Sequence, residues 1–100
     1  MIKLMACFKR PEDVDEFDRH YREVHSPLMS RVPGLMRMEV TSNIQAFRGE
    51  PPYYQVTEMY FRDKASFDAA MASEENRAAG KDLMSFARDV VIMFYGEVEE

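Results

Sequence analysis

Residues 35–61 read LMRMEVTSNIQAFRGEPPYYQVTEMYF. Met36, Met38 and Val40 alternate with Arg37, Glu39 and Thr41, giving an extended chain one apolar and one polar side. This predicts a strand over residues 35–47. Residues 53–61 are rich in Tyr, Val, Thr and Phe and predict a second strand. Between them lies Arg48-Gly49-Glu50-Pro51-Pro52, a turn composition. Two strands joined by a turn alone pair as an antiparallel hairpin, because a parallel pair needs a long crossover.

Working outward, the same unit flanks this hairpin on both sides. Upstream, Ile2–Phe8 is an apolar strand and Pro11-Glu12-Asp13 has the chemistry of a helix start. Val14, Phe17, Tyr21, Val24 and Leu28 then recur at helical spacing. Pro27 predicts a kink or restart there, and Pro33-Gly34 a turn. Downstream, Asp63 caps a helix that buries Phe67, Ala70 and Met71. Ser73 followed by Glu74-Glu75 reads as a fresh N-terminus, before Ala79, Leu83, Phe86 and Ala87. Residues 90–95 form a last strand, and the acidic tail 97–100 is expected to be loose. The order β-α-β-β-α-β over residues 1–100 predicts a single α+β domain with the ferredoxin-like fold. Four antiparallel strands form its sheet, and the helices cover one face.

The other face bears on assembly. In the last strand Val90, Ile92 and Phe94 point one way while Val91, Met93 and Tyr95 point the other, so both sides are apolar. Helices cover one side only, and an open apolar face seeks a partner. Two sheets packed face to face about a two-fold axis would bury it. A homodimer is therefore expected, with a barrel-like cavity between the sheets.

Composition removes several partners. The formal net charge is −5 and the lysines and arginines are scattered singly, which excludes a nucleic-acid backbone as partner. No apolar run approaches the roughly 20 residues that span a bilayer, so no membrane role is expected. Cys7 is the only cysteine and lies in an apolar run, as a buried structural thiol does. The absence of a possible intrachain disulfide and of a signal-peptide layout predicts a cytoplasmic protein. No Gly-rich phosphate loop or zinc-like spacing is present, and no cofactor or metal is expected. Two histidines five apart on a regular helix point apart, and Ser26 lacks a nucleophile-elbow context.

The pieces Ile2-Lys3-Leu4, Lys9-Arg10-Pro11, Phe17, Tyr21, His25-Ser26-Pro27-Leu28 and Pro33-Gly34 together resemble the EthD family. The later Phe61, the acidic residue opening the next helix, Ser73-Glu74, and Asp82 four before Phe86 extend the resemblance over nearly the whole chain. The loop before the first helix is short, without the Gly-rich extension of many members. The resemblance implies a dimeric α/β barrel of ferredoxin-like protomers. Relatives in that superfamily look like lactone isomerases, polyketide cyclases and dehydratases, cofactor-free monooxygenases and haem-degrading enzymes. Residue by residue, the family's histidine falls on His25, its helix aromatic on Tyr21 and its late aspartate on Asp82.

His25 lies four residues after Tyr21, within reach along one helix face. It is a candidate general base, because imidazole titrates near neutrality. The alternative is a helix C-terminal histidine that complements the dipole. Asp82 falls near the apolar face of its helix, where a carboxylate needs a partner. It either orients His25 catalytically or forms a structural ion pair. Tyr54, Val56, Glu58 and Tyr60 share one side of their strand, and the two phenols and the carboxylate are candidate substrate-binding groups, together with Tyr21. The alternative is cross-strand packing with Glu58 paired to Arg37 or Arg62. His20 carries no motif support, and a surface or pairing role is expected.

Three functions follow from the residues and the resemblance. The first is a cofactor-independent isomerase, cyclase or dehydratase acting on a small carbonyl, phenolic or lactone compound, with His25 as base. The second is a non-catalytic dimer that binds a small hydrophobic or aromatic molecule or serves an oxygenase pathway. The third is haem or cofactor-free monooxygenase chemistry, which superfamily analogy alone supports.

Overall fold

The computed structural model describes residues 1–99. Four strands, β1 (Ile2–Phe8), β2 (Leu35–Thr41), β3 (Gln55–Phe61) and β4 (Val91–Glu97), form one sheet in the order β2-β3-β1-β4. Every neighbouring pair is antiparallel, with Ile2 opposite both Phe61 and Glu97. The fold is ferredoxin-like α+β, as the strand-strand hairpin between two β-α-β units predicts.

The period-two alternation assigns each residue a face. Ile2, Leu4, Ala6 and Phe8 lie opposite Phe61, Met59, Thr57 and Gln55, and all eight are buried. This is the side the helices cover. On β4, Val91, Met93 and Tyr95 share that side, while Ile92 and Phe94 lie on the open face beside Cys7 and Met5. The open face continues through Glu58 and Tyr60 of β3 to Glu39 and Arg37 of β2. Its apolar part is accessible, with Ile92 39% and Phe94 45% exposed.

The strands differ from their expected bounds for local reasons. β2 ends at Thr41 rather than near residue 47, because Asn43 turns into the left-handed region at φ 54° and the chain leaves the sheet. Phe47 then stands fully exposed. A bulge between Leu35 and Arg37 takes Met36 out of register and leaves it exposed. β3 starts at Gln55 rather than 53. The tail is tied further along than expected: Glu97 ends β4, and the Val98 amide donates to the Met1 carbonyl at 2.9 Å. Glu100 lies outside the described residues.

The two helical arms are built differently. In the first, α1 (Val14–His20) is capped by Asp13, whose carboxylate accepts from the Glu16 amide at 3.0 Å. The arm runs without a break through a π turn (Tyr21–His25) into α2 (Ser26–Met29). Of the expected kink or restart, the restart is seen: the regular helix resumes at Ser26 with Pro27 in its first turn. Proline has no N–H for the carbonyl four residues back and is tolerated in a first turn. The ladder widens just upstream instead, where the Ser26 amide donates to the Tyr21 carbonyl in an i→i+5 bond. The second arm breaks after α3 (Lys64–Met71), and α4 (Glu74–Ala87) starts anew. Asp63 and Ser73 cap the two pieces through the Ser66 and Asn76 amides. Phe17, Tyr21 and Met29 from the first arm and Phe67, Ala70, Ala79, Leu83 and Ala87 from the second close over Phe8, Met59 and Phe61.

Candidate functional site

The π turn decides what the first arm presents. On a regular α-helix, residues five apart are separated by roughly 140°. In an i→i+5 turn, the fifth residue returns to about the same side. His20 and His25 therefore both face α4, contrary to the expectation that they point apart. Asp82 meets them there. Its Oδ1 lies 2.8 Å from His20 Nε2 and its Oδ2 lies 3.0 Å from His25 Nδ1. One carboxylate thus holds two imidazoles, one on each oxygen. The Phe86 ring packs against both, at centroid distances of 4.4 Å to His20 and 5.3 Å to His25.

Burial grades across this triad. The side chains of His20, Asp82 and His25 are 21%, 14% and 5% exposed. Burial is the dominant effect on His25 and pushes its pKa below the usual 6.5, although the Asp82 hydrogen bond and charge pull it upward. Neutral His25 donates its Nδ1 proton to the carboxylate, which leaves Nε2 as the basic nitrogen. Nε2 has no hydrogen-bond partner among the described residues.

His25 lines a cavity of about 270 Å³ between sheet and helices. Leu4, Met29, Met59, Leu83 and Met93 make most of its wall, and Ala79 and Gly80 of α4 leave the space open. The polar groups on it are few: His25, Tyr21, Thr57 and Asn76. The Tyr21 and Thr57 hydroxyls hydrogen-bond each other. Burial raises the Tyr21 pKa, so the phenol stays protonated at neutral pH. Among the described residues no group of three or more His, Cys, Asp or Glu is placed to hold a metal ion.

The strand-three candidates separate from this cavity. Tyr54 was expected beside Glu58 and Tyr60, but it precedes β3 and escapes the alternation. Its amide donates to the Phe8 carbonyl, its ring packs edge-on against Phe17, and its hydroxyl donates to Asp18 of α1 at 2.8–2.9 Å. It lines a second cleft of about 320 Å³, with Asp18, Gln55 and the back of Tyr21. Gln55 is buried there, and its Nε2 lacks a partner. Glu58 and Tyr60 do lie on the open face, as their alternation predicts. Glu58 pairs with Lys3, one diagonal step away on β1, at 2.9 Å and not with Arg37 or Arg62; Arg37 is the same step away on β2 but lies over the Tyr60 ring and beside Glu39. The Tyr60 hydroxyl donates to Glu39 at 2.9 Å, and the Arg37 guanidinium lies 4.3 Å from its ring. Cys7 is buried and free, and burial raises its pKa, as for an inert thiol.

His20 takes the pairing role expected of it, with Asp82 as partner; what the sequence reading missed is that it shares this carboxylate with His25. Its signal was available only as a conjunction: a second histidine five before the first, with Ser-Pro directly after. That is a π turn in hindsight and two divergent histidines on an ideal wheel.

The chain matches the EthD domain over residues 9–89. It is 31% identical over 100 residues to an uncharacterized 11.0 kDa protein from the thcB-thcC intergenic region of Rhodococcus erythropolis, covering 99% of this chain and 96% of that one. It is 40% identical to an ethyl tert-butyl ether degradation (EthD) family protein from Bacillus halodurans, at a TM-score of 0.94 and with 99% of each chain covered. The fold alone is shared with SnoaB, a cofactor-independent oxygenase from Streptomyces nogalater, at 14% identity, a TM-score of 0.68, and 99% and 93% coverage. No helix among the described residues is long and apolar enough to cross a membrane. With four fifths of its length inside the matched region and a relative above 30% identity over its whole span, the chain belongs to the EthD family.

Proposed function

We propose that this protein moves a proton on a small carbonyl, phenolic or lactone compound held in the cavity between sheet and helices. His25 is the general base. The observation that carries this reading is the arrangement of His25: it lines an apolar cavity, its Nδ1 lies on the Asp82 carboxylate at 3.0 Å, and its Nε2 has no hydrogen-bond partner among the described residues. A carboxylate behind an imidazole fixes its tautomer and stabilises the imidazolium formed on proton abstraction. Low solvent access strengthens that interaction. The depressed pKa keeps His25 neutral, and thus competent as a base, at physiological pH. Tyr21 and Thr57 are the hydroxyls within the cavity that can meet a carbonyl oxygen. A cavity of about 270 Å³ suits a small ring compound.

Isomerisation, cyclisation and dehydration all begin with that proton abstraction, and none requires a cofactor. SnoaB, a cofactor-independent oxygenase of this fold, supports keeping oxygen chemistry on a deprotonated phenol as an outcome of the same assay. A homodimer formed through the open face completes the picture. Ile92 and Phe94 would pack against a second copy, and Glu58, Tyr60, Arg37 and Glu39 would face the space between the sheets. Phe94→Asp would then convert the dimer to monomer in sedimentation equilibrium.

Turnover of a panel of phenolic, lactone and β-dicarbonyl compounds tests the catalytic reading. His25→Gln should reduce kcat/KM at least 10²-fold for any substrate found, the usual scale for a positioned base. Undiminished turnover would remove His25 from the mechanism. A second reading, a non-catalytic carrier of a hydrophobic molecule, is favoured by the mutual hydrogen bond of Tyr21 and Thr57, which leaves few free polar groups. It would be supported by ligand binding that is indifferent to His25→Gln, together with no conversion of any compound bound.

A further inference from the structure

Asp82 stands between two spaces. His25, on its Oδ2 side, lines the apolar cavity. His20, on its Oδ1 side, lines an open groove of about 840 Å³ between the start of α1 and the end of α4. The carboxylate has two oxygens and each has one imidazole partner. Neither histidine alone satisfies it, and a half-satisfied buried carboxylate is costly and free to turn.

We propose that His20 is a positioning residue for His25, acting through Asp82 from the solvent side of the helical layer. This rests on the reading of His25 as the base. His20 does two things at once. Its Nε2–H anchors Asp82 Oδ1, so that Oδ2 stays aimed at His25 Nδ1 and the basic nitrogen faces the cavity. From the groove it also exchanges protons with solvent, and the charge it gains competes with His25 for the same carboxylate. A proton on His20 makes His25 a weaker base, and its loss makes His25 a stronger one. The chemistry in the apolar cavity is thereby tied to the protonation of a group outside it.

Groups of both signs surround His20. Arg10, Glu12 and Asp13 reach the groove from the loop after β1, Glu16 from one turn earlier on α1, and Arg88 and Asp89 from the end of α4. The charges of this rim are mixed, so it presents no one-signed field to His20. His25 faces Asp82, and the hydroxyls of Tyr21 and Thr57 on the cavity side.

The test needs no substrate. Imidazole titrations by NMR on the ¹⁵N-labelled protein would compare the unsubstituted chain with His20→Gln and His20→Leu. Gln places an amide N–H near the position of imidazole Nε2 but cannot titrate. In the unsubstituted protein the His25 resonances should show a second inflection at the His20 midpoint. In His20→Gln that inflection should vanish and the His25 midpoint should move up, with the Nδ1–H tautomer retained. In His20→Leu the midpoint should also move up, and the tautomer preference should be lost with the anchor. A His25 curve in His20→Gln that superimposes on that of the unsubstituted protein would overturn the proposal. So would the absence of any second inflection in the unsubstituted chain, which decides the matter even if both variants misfold. Either failure leaves His25→Gln turnover free to stand as the separate test of the base.

Discussion

The two helical arms occupy equivalent places over the same sheet, yet they solve different problems. The first runs unbroken from Val14 to Met29 and absorbs one extra residue in a π turn. It presents large polar aromatics, Tyr21 and His25, to the interior. The second breaks at Ser73, is capped twice, and presents small residues, Ala70, Ala79 and Ala87. The first arm supplies the two imidazoles. The second supplies small residues beside the cavity, plus the single carboxylate that both imidazoles meet. A site of this kind needs both: a wide turn that gathers two imidazoles, and a facing helix small enough to leave a cavity.

The sharpest way to break this contrast is to add a second extra residue. Glu23 is exposed within the π turn, so an alanine inserted after it meets no core side chain, but the wide turn already absorbs one extra residue and has no room for another. Everything after the insertion rotates by about 100°. His25 and Met29 leave their buried positions, which should cost about 3–5 kcal/mol in urea unfolding, the scale of losing large core side chains. The insertion should also abolish the Nδ1–H tautomer of His25.

Asp82→Asn probes the facing helix. Without the carboxylate, burial acts on His25 unopposed and its NMR midpoint should fall further. Turnover of any substrate found should drop roughly 10²-fold. An unchanged midpoint would mean that Asp82 is only a spacer.

The pH dependence of stability follows from His25. Its pKa is lowered on folding, so the unfolded chain binds the extra proton more readily just below pH 6.5. Its contribution is complete above about 6.5 and is lost as pH falls from there through the folded-state midpoint. Urea midpoints measured across pH 4–8 should show this slope, and His25→Gln should flatten it. Smaller effects separate the arms. Ser73→Ala removes the cap that restarts the second arm and should cost about 1 kcal/mol. Gly80→Ala adds a methyl group where nothing lies within 4 Å, and should stabilise α4 by about 0.8 kcal/mol. Because Gly80 lines the cavity, the same change should weaken the binding of any ligand that fills it.

Much of the architecture was legible. The hairpin at residues 35–61, the flanking β-α units and the helix starts at Asp63 and Ser73 are local features, dictated by side-chain alternation and by hydroxyl or carboxylate groups that satisfy free amides. Strand ends were less so. Tyr54 looks like a strand residue by type, but the chain turns before it pairs, which sends its ring to Phe17. The site was half legible. His25, Tyr21 and Asp82 stood out by type and by family resemblance, but their separation in space did not.

What the sequence alone determined is the order of elements and the residue types available for chemistry, because each rests on interactions within a few residues of chain. What only the tertiary structure decided is which of those residues meet. A single i→i+5 hydrogen bond reverses the relation between His20 and His25. A carboxylate more than fifty residues downstream then joins them. Helical periodicity cannot reveal either event, because one is a departure from the period and the other is packing between elements distant in the chain.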